Sequence, residues 1–155
     1  MCIKPGMVTF VHLTPEEKVN QILQKGIACL RAQDDHPKGI FAMPFARSFY
    51  VSHQWLRELR QRGHVQVAAL HFRVPDDEPV WVGHYRRSHQ RMTAADAILR
   101  FQREKRPEGF EVIIPRAIRP CEIHRIHHLA RVMPWRRGPE VGQETRLGKT
   151  GKPAA

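Results

Sequence analysis

The chain has 155 residues, of which 41% are hydrophobic, so it can form one domain with a sizeable core but not two ordinary domains. No apolar run approaches the roughly 18 residues that a membrane-spanning helix needs, which argues against an integral membrane protein. The formal net charge of +11 favours a polyanionic partner such as nucleic acid, an acidic protein or a phosphorylated small molecule. An arginine-rich composition can also follow from GC-rich coding, so charge alone does not name the partner.

Cysteine usage and the N-terminal sequence predict a cytoplasmic protein. The N-terminus lacks the charged, apolar and small-residue pattern of a secretory signal peptide. The cysteines are odd in number and scattered without metal-site spacing, which is typical of free thiols in a reducing compartment. They are Cys2, Cys29 and Cys121.

The organisation of the chain is predicted as a leader over 1–6, one domain over 7–137 and a disordered tail over 138–155. Glycine, proline and charged residues dominate the tail, which has few apolar residues to bury. Within the domain we expect a mixed α+β fold of several short strands with two or three helices.

In the first part of the domain, a strand is predicted over about 7–12, followed directly by a helix. Thr14 as N-cap, Pro15 at the first helical position and the acids after it are typical of a helix start. Gly26 is predicted to end this helix. A further short strand is expected from Gly39 to Met43, after a polar loop.

In the second part, the alternation over 65–74 is the strongest strand signal in the chain. We predict a turn after it and a partner strand over 80–85. Thr93 is expected to cap a helix that reaches about 104, with Ala97, Ile98 and Phe101 facing inward. The other predicted elements are a helix over 53–62, a strand over 110–114 and a final strand that starts at 120.

Two polar residues about a hundred positions apart each lie in a predicted buried strand. His12 stands near the end of an apolar run, and Glu111 opens a β-branched run. Burying such groups is unfavourable unless they are hydrogen-bonded, so their presence indicates one site assembled by folding. Gly39-Ile40-Phe41-Ala42 lies between them in the sequence.

The order of these segments resembles the His–Tyr–Glu branch of the ADP-ribosyltransferase superfamily. The motifs are His12-Leu13-Thr14, a helix ending in Ile22-Leu23-Gln24-Lys25-Gly26-Ile27, then Gly39-Ile40-Phe41-Ala42, and Glu111 at the start of a late strand. The resemblance covers about residues 7–126. It implies a split β-sandwich that binds NAD in a cleft and transfers ADP-ribose to an acceptor with release of nicotinamide, a glycosyltransferase reaction without a metal.

The resemblance also implies roles for individual residues. His12 would hydrogen-bond a ribose or the nicotinamide moiety, and the backbone of Leu13 would hold the carboxamide. Phe41 stands where the motif has tyrosine, and Tyr50 where a second aromatic ring stacks on nicotinamide. Glu111 would bind the 2′-hydroxyl of the nicotinamide ribose and stabilise the positive charge that develops there. The predicted NAD-binding set is completed by Thr14, Gly39, Arg31 and Arg47, with Lys38 as a further cation near the pyrophosphate.

The residue types suit this chemistry. Breaking the bond between nicotinamide and ribose passes through an oxocarbenium-like transition state, which a fixed carboxylate in a poorly hydrated cleft stabilises. Gly109 stands where transferases that modify protein arginine carry Glu or Gln, so arginine is a doubtful acceptor. Together with the basic composition, this tilts the expected acceptor towards nucleic acid or another phosphorylated molecule.

Competing interpretations remain open for the function and for single residues. The chain could be a non-enzymatic basic module that binds nucleic acid, on the same fold with a decayed site. A toxin or effector with a neutralising partner protein is a third option, compatible with the first. His12 could be a core histidine, and Glu111 a water-facing charge on an edge strand. Phe41 and Tyr50 fit core or site equally, whereas Phe45, Phe49 and Trp55 are expected in the core and His53, His84 and His89 on the surface.

A metal site is not expected. The spacing of Cys121, His124, His127 and His128 in a predicted strand does not bring the four side chains to one face. No second cluster completes a tetrahedral set.

Overall fold

A computed structural model describes residues 6–29, 37–45, 61, 63, 66–85, 87–107 and 109–129. Within these residues the chain forms seven strands, two α-helices and two short 3-10 helices. The strands are β1 (Met7–Pro15), β2 (Ile40–Pro44), β3 (Val67–Pro75), β4 (Pro79–His84), β5 (Gln90–Thr93), β6 (Phe110–Ile114) and β7 (Ile123–Leu129). The helices are α1 (Val19–Lys25) and α2 (Ala94–Arg103), and the 3-10 helices span Glu16–Lys18 and Pro120–Glu122.

The described strands form one sheet in the order β5-β4-β6-β2-β1-β3-β7, and neighbouring strands are antiparallel. The ladder between β1 and β3 is long and runs from Met7↔Pro75 to Pro15↔Val67. In contrast, β1 meets β2 at only two residue pairs, Phe10↔Pro44 and Val11↔Met43, which we call the seam. The architecture is therefore α+β, as predicted, and two parts of the sheet meet at a short seam.

The large aromatic side chains of the hydrophobic core lie on one face of the sheet, which we call the helix face. Phe10, Phe72 and Phe110 are wholly buried there, and the rings of Phe10 and Phe72 are 6.2 Å apart between centroids. Helix α2 contributes Phe101, whose ring centroid lies 5.1 Å from that of Phe110. Ala97 of α2 is also buried, as predicted for this helix. Because side chains alternate along a strand, the intervening residues point to the opposite face.

Three residues were predicted to begin or end a helix, and the structure confirms two of them. Gly26 ends α1 as predicted: its φ is +82° and its N–H donates to the carbonyl of Ile22 at 2.7 Å. Thr93 caps α2 as predicted, since its Oγ1 accepts a hydrogen bond from the N–H of Asp96 at 3.1 Å. Thr14 is not an N-cap, and that prediction is wrong. It lies within β1, is 3% exposed and pairs with Ala68, because the β1–β3 ladder continues through it.

The predicted pairing of the strand over 80–85 with the strand over 65–74 is also wrong. Strand β4 pairs with β5 and β6, at the other end of the sheet. Both edges of β3 are already occupied, by β1 and β7, so no edge is left for its neighbour in sequence. The start of the predicted final strand forms the 3-10 helix Pro120–Glu122 instead, and β5 was not predicted.

Some predictions fall on residues that the structure does not describe. The helix over 53–62 lies outside the described residues apart from Gln61, and the leader apart from Gly6. The tail over 138–155 lies wholly outside them. Neither described helix has the length and apolar character needed to cross a membrane.

Replacing Arg116 with alanine should lower the free energy of unfolding by about 1–3 kcal/mol. Its guanidinium hydrogen-bonds both oxygens of Glu122, at 2.7 and 2.9 Å, and also the carboxylate of Glu78. The side chains of Glu78 and Glu122 are 16% and 10% exposed, so the variant leaves two largely buried carboxylates without their cation. Urea unfolding would measure the loss.

Arg119 is the matched control, since it lies 3.8 Å from Glu122 with a side chain that is 76% exposed. Arg119→Ala should change stability by no more than about 0.5 kcal/mol. Burial by itself raises the pKa of Glu122, but the hydrogen bonds from Arg116 and the Arg119 backbone lower it overall. The ion pair's contribution is therefore present above the ordinary glutamate pKa and fades as pH falls through the lowered value. Equal losses in both variants would contradict this account.

Candidate functional site

The three segments singled out in the sequence lie on adjacent central strands. His12 is on β1, Phe41 on β2 and Glu111 on β6, and these strands are neighbours in the order β6-β2-β1. Gly39 directly precedes β2, where a Cβ atom would lie 2.5 Å from the carbonyl oxygen of Ile114. Only glycine therefore permits the observed approach of this segment to β6.

His12 lies where the ladder between β1 and β2 stops. One residue past the seam, its Nδ1–H donates to the carbonyl oxygen of Phe41 at 2.7 Å, so an imidazole replaces a backbone hydrogen bond between the strands. Burial lowers the pKa of His12, the Phe41 carbonyl opposes this, and the Lys18 charge lowers it further. The net shift favours a neutral ring at neutral pH. With Nδ1 donating, Nε2 of this tautomer is a hydrogen-bond acceptor.

Glu111 is a buried carboxylate in the centre of the sheet. It is 0% exposed and lies on β6 between β2 and β4, where it pairs with Gly83. The alternative of a water-facing charge on an edge strand is therefore wrong. Its Oε1 accepts a hydrogen bond from Nε2 of His89 at 2.8 Å, and the side chains of His89 and Glu111 are 2% and 0% exposed.

His89 is the residue of this site that sequence reasoning missed. It was expected on the surface because its neighbours in sequence are basic and polar. The glycine opposite Glu111 accounts for its position: a Cβ on Gly83 would lie 2.9 Å from the carbonyl oxygen of Ser88 and 3.0 Å from Cδ2 of His89. The only signal in the sequence was therefore Gly83 within a predicted strand. Such a glycine indicates that another segment packs closely against the strand, but it does not identify that segment.

Phe41 and Glu111 share the face of the sheet opposite the helices. Phe41 pairs with Ile113, and Glu111 is two residues from Ile113 along β6, which makes Phe41 and Glu111 diagonal neighbours. Such neighbours are typically about 7–8 Å apart, within reach of one ligand. Because side chains alternate along β1, the side chain of His12 leaves the strand on the helix face, opposite to that of Val11. Its hydrogen bond directs the ring to the carbonyl of Phe41 on β2. The carboxylate and phenyl ring thus share a face, and the imidazole lies at the seam.

The remaining predicted residues divide into two groups. Leu13 is partly buried and Thr14 buried, both beside His12 on β1. The other predicted NAD ligands, Arg31, Arg47 and Tyr50, lie outside the described residues. Phe45, expected in the core, is 57% exposed, and that expectation is wrong.

Among the described residues, a surface cavity and the side chains that could bind a metal ion lie apart from the predicted site. A cavity of about 390 Å³ lies against β5 and α2 and is lined by residues such as Met92, Leu99 and Arg103, none of which belongs to the predicted site. Within the described part of the chain, no three His, Cys, Asp or Glu side chains are grouped to hold a metal ion. Comparison of the chain with protein-family models, with curated proteins and with solved structures found no match in any of the three.

Lowering the pH from about 7.5 to 5 should destabilise the fold, in part through His12. An unfolded histidine has a pKa of about 6.5, and the folded pKa of His12 is lower. Between the two values the unfolded chain binds more protons, so stability rises with pH there. This contribution is complete above the unfolded pKa and is lost as pH falls through the folded one.

Urea unfolding at a series of pH values would measure this slope in the wild type and in His12→Gln, which keeps a side-chain N–H. The slope should be shallower in His12→Gln. His71 and His124 also have lowered pKa values and contribute to the slope with the same sign. An unchanged slope in His12→Gln would contradict the assignment.

Proposed function

We propose that the chain is an NAD-dependent ADP-ribosyltransferase that binds NAD where the seam between β1 and β2 ends. The observation that supports this most directly is that His12, Phe41 and Glu111 lie on three adjacent strands where the β1–β2 ladder stops. The finer expectation of a split β-sandwich belongs to this proposal, as does a cytoplasmic location.

His12 would position a ribose. A neutral imidazole whose Nδ1–H is fixed on the Phe41 carbonyl can accept a hydrogen bond at Nε2 from a sugar hydroxyl. The same bond holds β2 at a defined distance, so that the ring of Phe41 lies beside the bound sugar. Phe41 would hold the planar, cationic nicotinamide by stacking and cation–π attraction, worth about 0.5–2 kcal/mol. Stacking needs no tyrosine hydroxyl.

Glu111 would stabilise the transition state. The glycosidic bond between nicotinamide and C1′ of its ribose breaks, its electron pair leaves with neutral nicotinamide, and positive charge develops on the ribose. An acceptor atom then forms a bond to C1′ and releases its proton to water. A carboxylate held by the sheet in a site shielded from water interacts strongly with that charge and needs little reorganisation.

His89 bonds the carboxylate in this structure. Because the side chains of His89 and Glu111 are 2% and 0% exposed, access of a ribose to Glu111 requires a rearrangement around both that includes the imidazole. In the proposed complex the ribose 2′-hydroxyl replaces the imidazole N–H as a donor to Glu111. The carboxylate thus exchanges one hydrogen-bond donor for another, and a buried charge is not left without one.

The test is to incubate the full chain with NAD labelled in the nicotinamide ring and to measure released nicotinamide. Calorimetry of NAD binding provides a second readout. Release that is at least about 100-fold slower in Glu111→Gln and unchanged in Glu17→Gln, which alters an exposed acid, would support the enzyme. No release and no NAD binding by the wild type would overturn the proposal and favour the non-enzymatic basic module.

A further inference from the structure

A group of five basic side chains lies on β3 and β7, at the far side of the sheet from β5. We call it the basic cluster: His71, Arg73, His124, Arg125 and His127. Arg73, His124, Arg125 and His127 are exposed, and His71 lies beneath them at 8% exposure. The sequence had pointed to His124 and His127 only as unsuitable metal ligands, and the proposed transferase chemistry uses none of the five.

The fold brings these side chains together on one face. His71 pairs with Arg125, and Ala69 with His127, so the side chains of both pairs point to the face opposite the helices. A register shift next to His71 lets His124 join them, and the rings of His71 and His124 are 6.2 Å apart between centroids.

Within the described part of the chain, the two arginines of the cluster lie close to two histidines whose protonation they disfavour, and no acid is paired with them. Burial lowers the pKa of His71, and the nearby Arg125, His124 and His127 lower it further. Burial also lowers the pKa of His124, as do Arg73 and Arg125. Among the described residues, no Asp or Glu forms an ion pair with any member of the cluster. A bound phosphate would pair with the charges of Arg73 and Arg125 and would favour protonation of His71 and His124.

An exposed aromatic ring lies beside the cluster. Phe45 is 57% exposed, and its ring centroid is 5.2 Å from that of His71, with the planes inclined at 60°. Its backbone N–H donates to the carbonyl of Thr9 at 3.3 Å, which fixes it next to β1. A phenyl ring held in water beside cations is the combination on which proteins stack the bases of single-stranded nucleic acid.

The cluster and Glu111 belong to the same face of the sheet. Residues that pair across neighbouring strands have side chains on the same face. Arg125 pairs with His71, His71 with Val11, and Val11 with Met43. Extending the β2–β6 ladder by one residue beyond Ala42↔Val112 places Met43 opposite Glu111. Three strand spacings of about 4.8 Å separate β3 from β6, so His71 lies roughly 14 Å from Glu111 across this face.

We propose that the basic cluster and Phe45 bind single-stranded nucleic acid and orient it as the acceptor for the transferase. Phosphates lie against Arg73 and Arg125, one base stacks on Phe45, and a neighbouring nucleotide lies towards Glu111. The inference that single-stranded nucleic acid binds here depends on the basic cluster and Phe45 alone. The inference that this nucleic acid is the acceptor rests on the proposed function.

Fluorescence anisotropy with a labelled 20-nucleotide single strand of mixed sequence tests the binding. Arg73→Glu/Arg125→Glu should weaken affinity at least about 10-fold, and two lost phosphate contacts should flatten the salt dependence of log K by about 1.4. The matched control, Arg91→Glu/Arg103→Glu, makes the same change in net charge with exposed arginines of β5 and α2. It should weaken affinity less than about 3-fold. Phe45→Ala should weaken single-strand binding about 5-fold or more and leave duplex binding little changed.

Circular dichroism melts establish that each variant is folded. Equal effects of the two arginine pairs, no strand binding by the wild type, or tighter binding of poly-glutamate than of the strand would each overturn the proposal, the last in favour of an acidic protein partner. The nicotinamide assay on the same preparations separates the two ideas. Lost strand binding with retained NAD cleavage removes only this inference. Intact binding of the nucleic acid without any NAD cleavage removes the transferase and the acceptor role and leaves the binding site.

Discussion

Replacing His89 with alanine is expected to lower the free energy of unfolding by about 3–5 kcal/mol at neutral pH. The imidazole lies 2.8 Å from the carboxylate of Glu111, and both side chains are almost completely shielded from water. The variant leaves Glu111 buried without this donor, and a buried carboxylate that loses a hydrogen-bond donor bears a large desolvation penalty. Urea unfolding followed by circular dichroism would measure the difference.

A double-mutant cycle isolates the interaction. Adding Glu111→Gln to His89→Ala should recover at least about 1 kcal/mol, because a neutral amide is less costly to bury than a carboxylate. His128→Ala is the control. His128 also bonds a glutamate, Glu16, at 2.9 Å, but its side chain is 58% exposed. This exposed pair should contribute no more than about 1 kcal/mol. Similar losses in His89→Ala and His128→Ala would mean that the buried pair has no special energetic role.

The elements that the sequence predicted well are those specified by local patterns. Strand β3 was predicted from alternation over 65–74, β6 from a β-branched run, and the start of α2 from the side chain of Thr93. Thr14-Pro15 carries an equally clear local signal for a helix start. The ladder to β3 prevailed there, since a continuous run of backbone hydrogen bonds outweighs one cap worth about 1 kcal/mol.

Partners across the sheet could not be predicted, because no local pattern encodes them. Strand β4 was assigned to its neighbour in sequence, β3, whereas it pairs with β5 and β6. The same limit applies to the site. Glu111 was selected because a carboxylate within a buried strand needs a partner, and it is indeed buried. That its partner is His89 depends on the space above Gly83, which exists only once β4 and β6 are paired.

Phe45 shows the opposite error, in which a side chain predicted to be buried is exposed. Phe45 was assigned to the core because phenylalanine is usually buried, yet it is 57% exposed just after β2. Its neighbour Met43 is 5% exposed, so the change from core to surface occurs within two residues. An exposed aromatic ring beside a basic cluster is informative about binding, but only the folded chain brings Phe45 and His71 together.

Glu111→Gln is expected to reduce the rate constant for nicotinamide release by about 10²–10³-fold, while NAD affinity changes only a few-fold. The amide has nearly the same size and keeps an oxygen that can accept the hydrogen bond from His89. It carries no charge, so it cannot stabilise the cation that forms as nicotinamide leaves. An interaction made mainly in the transition state lowers kcat and kcat/KM together and leaves KM nearly unchanged.

Rapid-quench measurements of released nicotinamide, with calorimetry of NAD binding, would separate these quantities. Glu17→Gln is the control, since it makes the same chemical change at an exposed position and should leave the rate unchanged. The variant must also be folded during the assay. Glu111→Gln keeps the packing around His89, so it should remain folded at the assay temperature. A folded Glu111→Gln that releases nicotinamide at the wild-type rate would show that the carboxylate is structural. The burial of Glu111 against His89 would then be a feature of the fold, and the transferase proposal would lose its catalytic group.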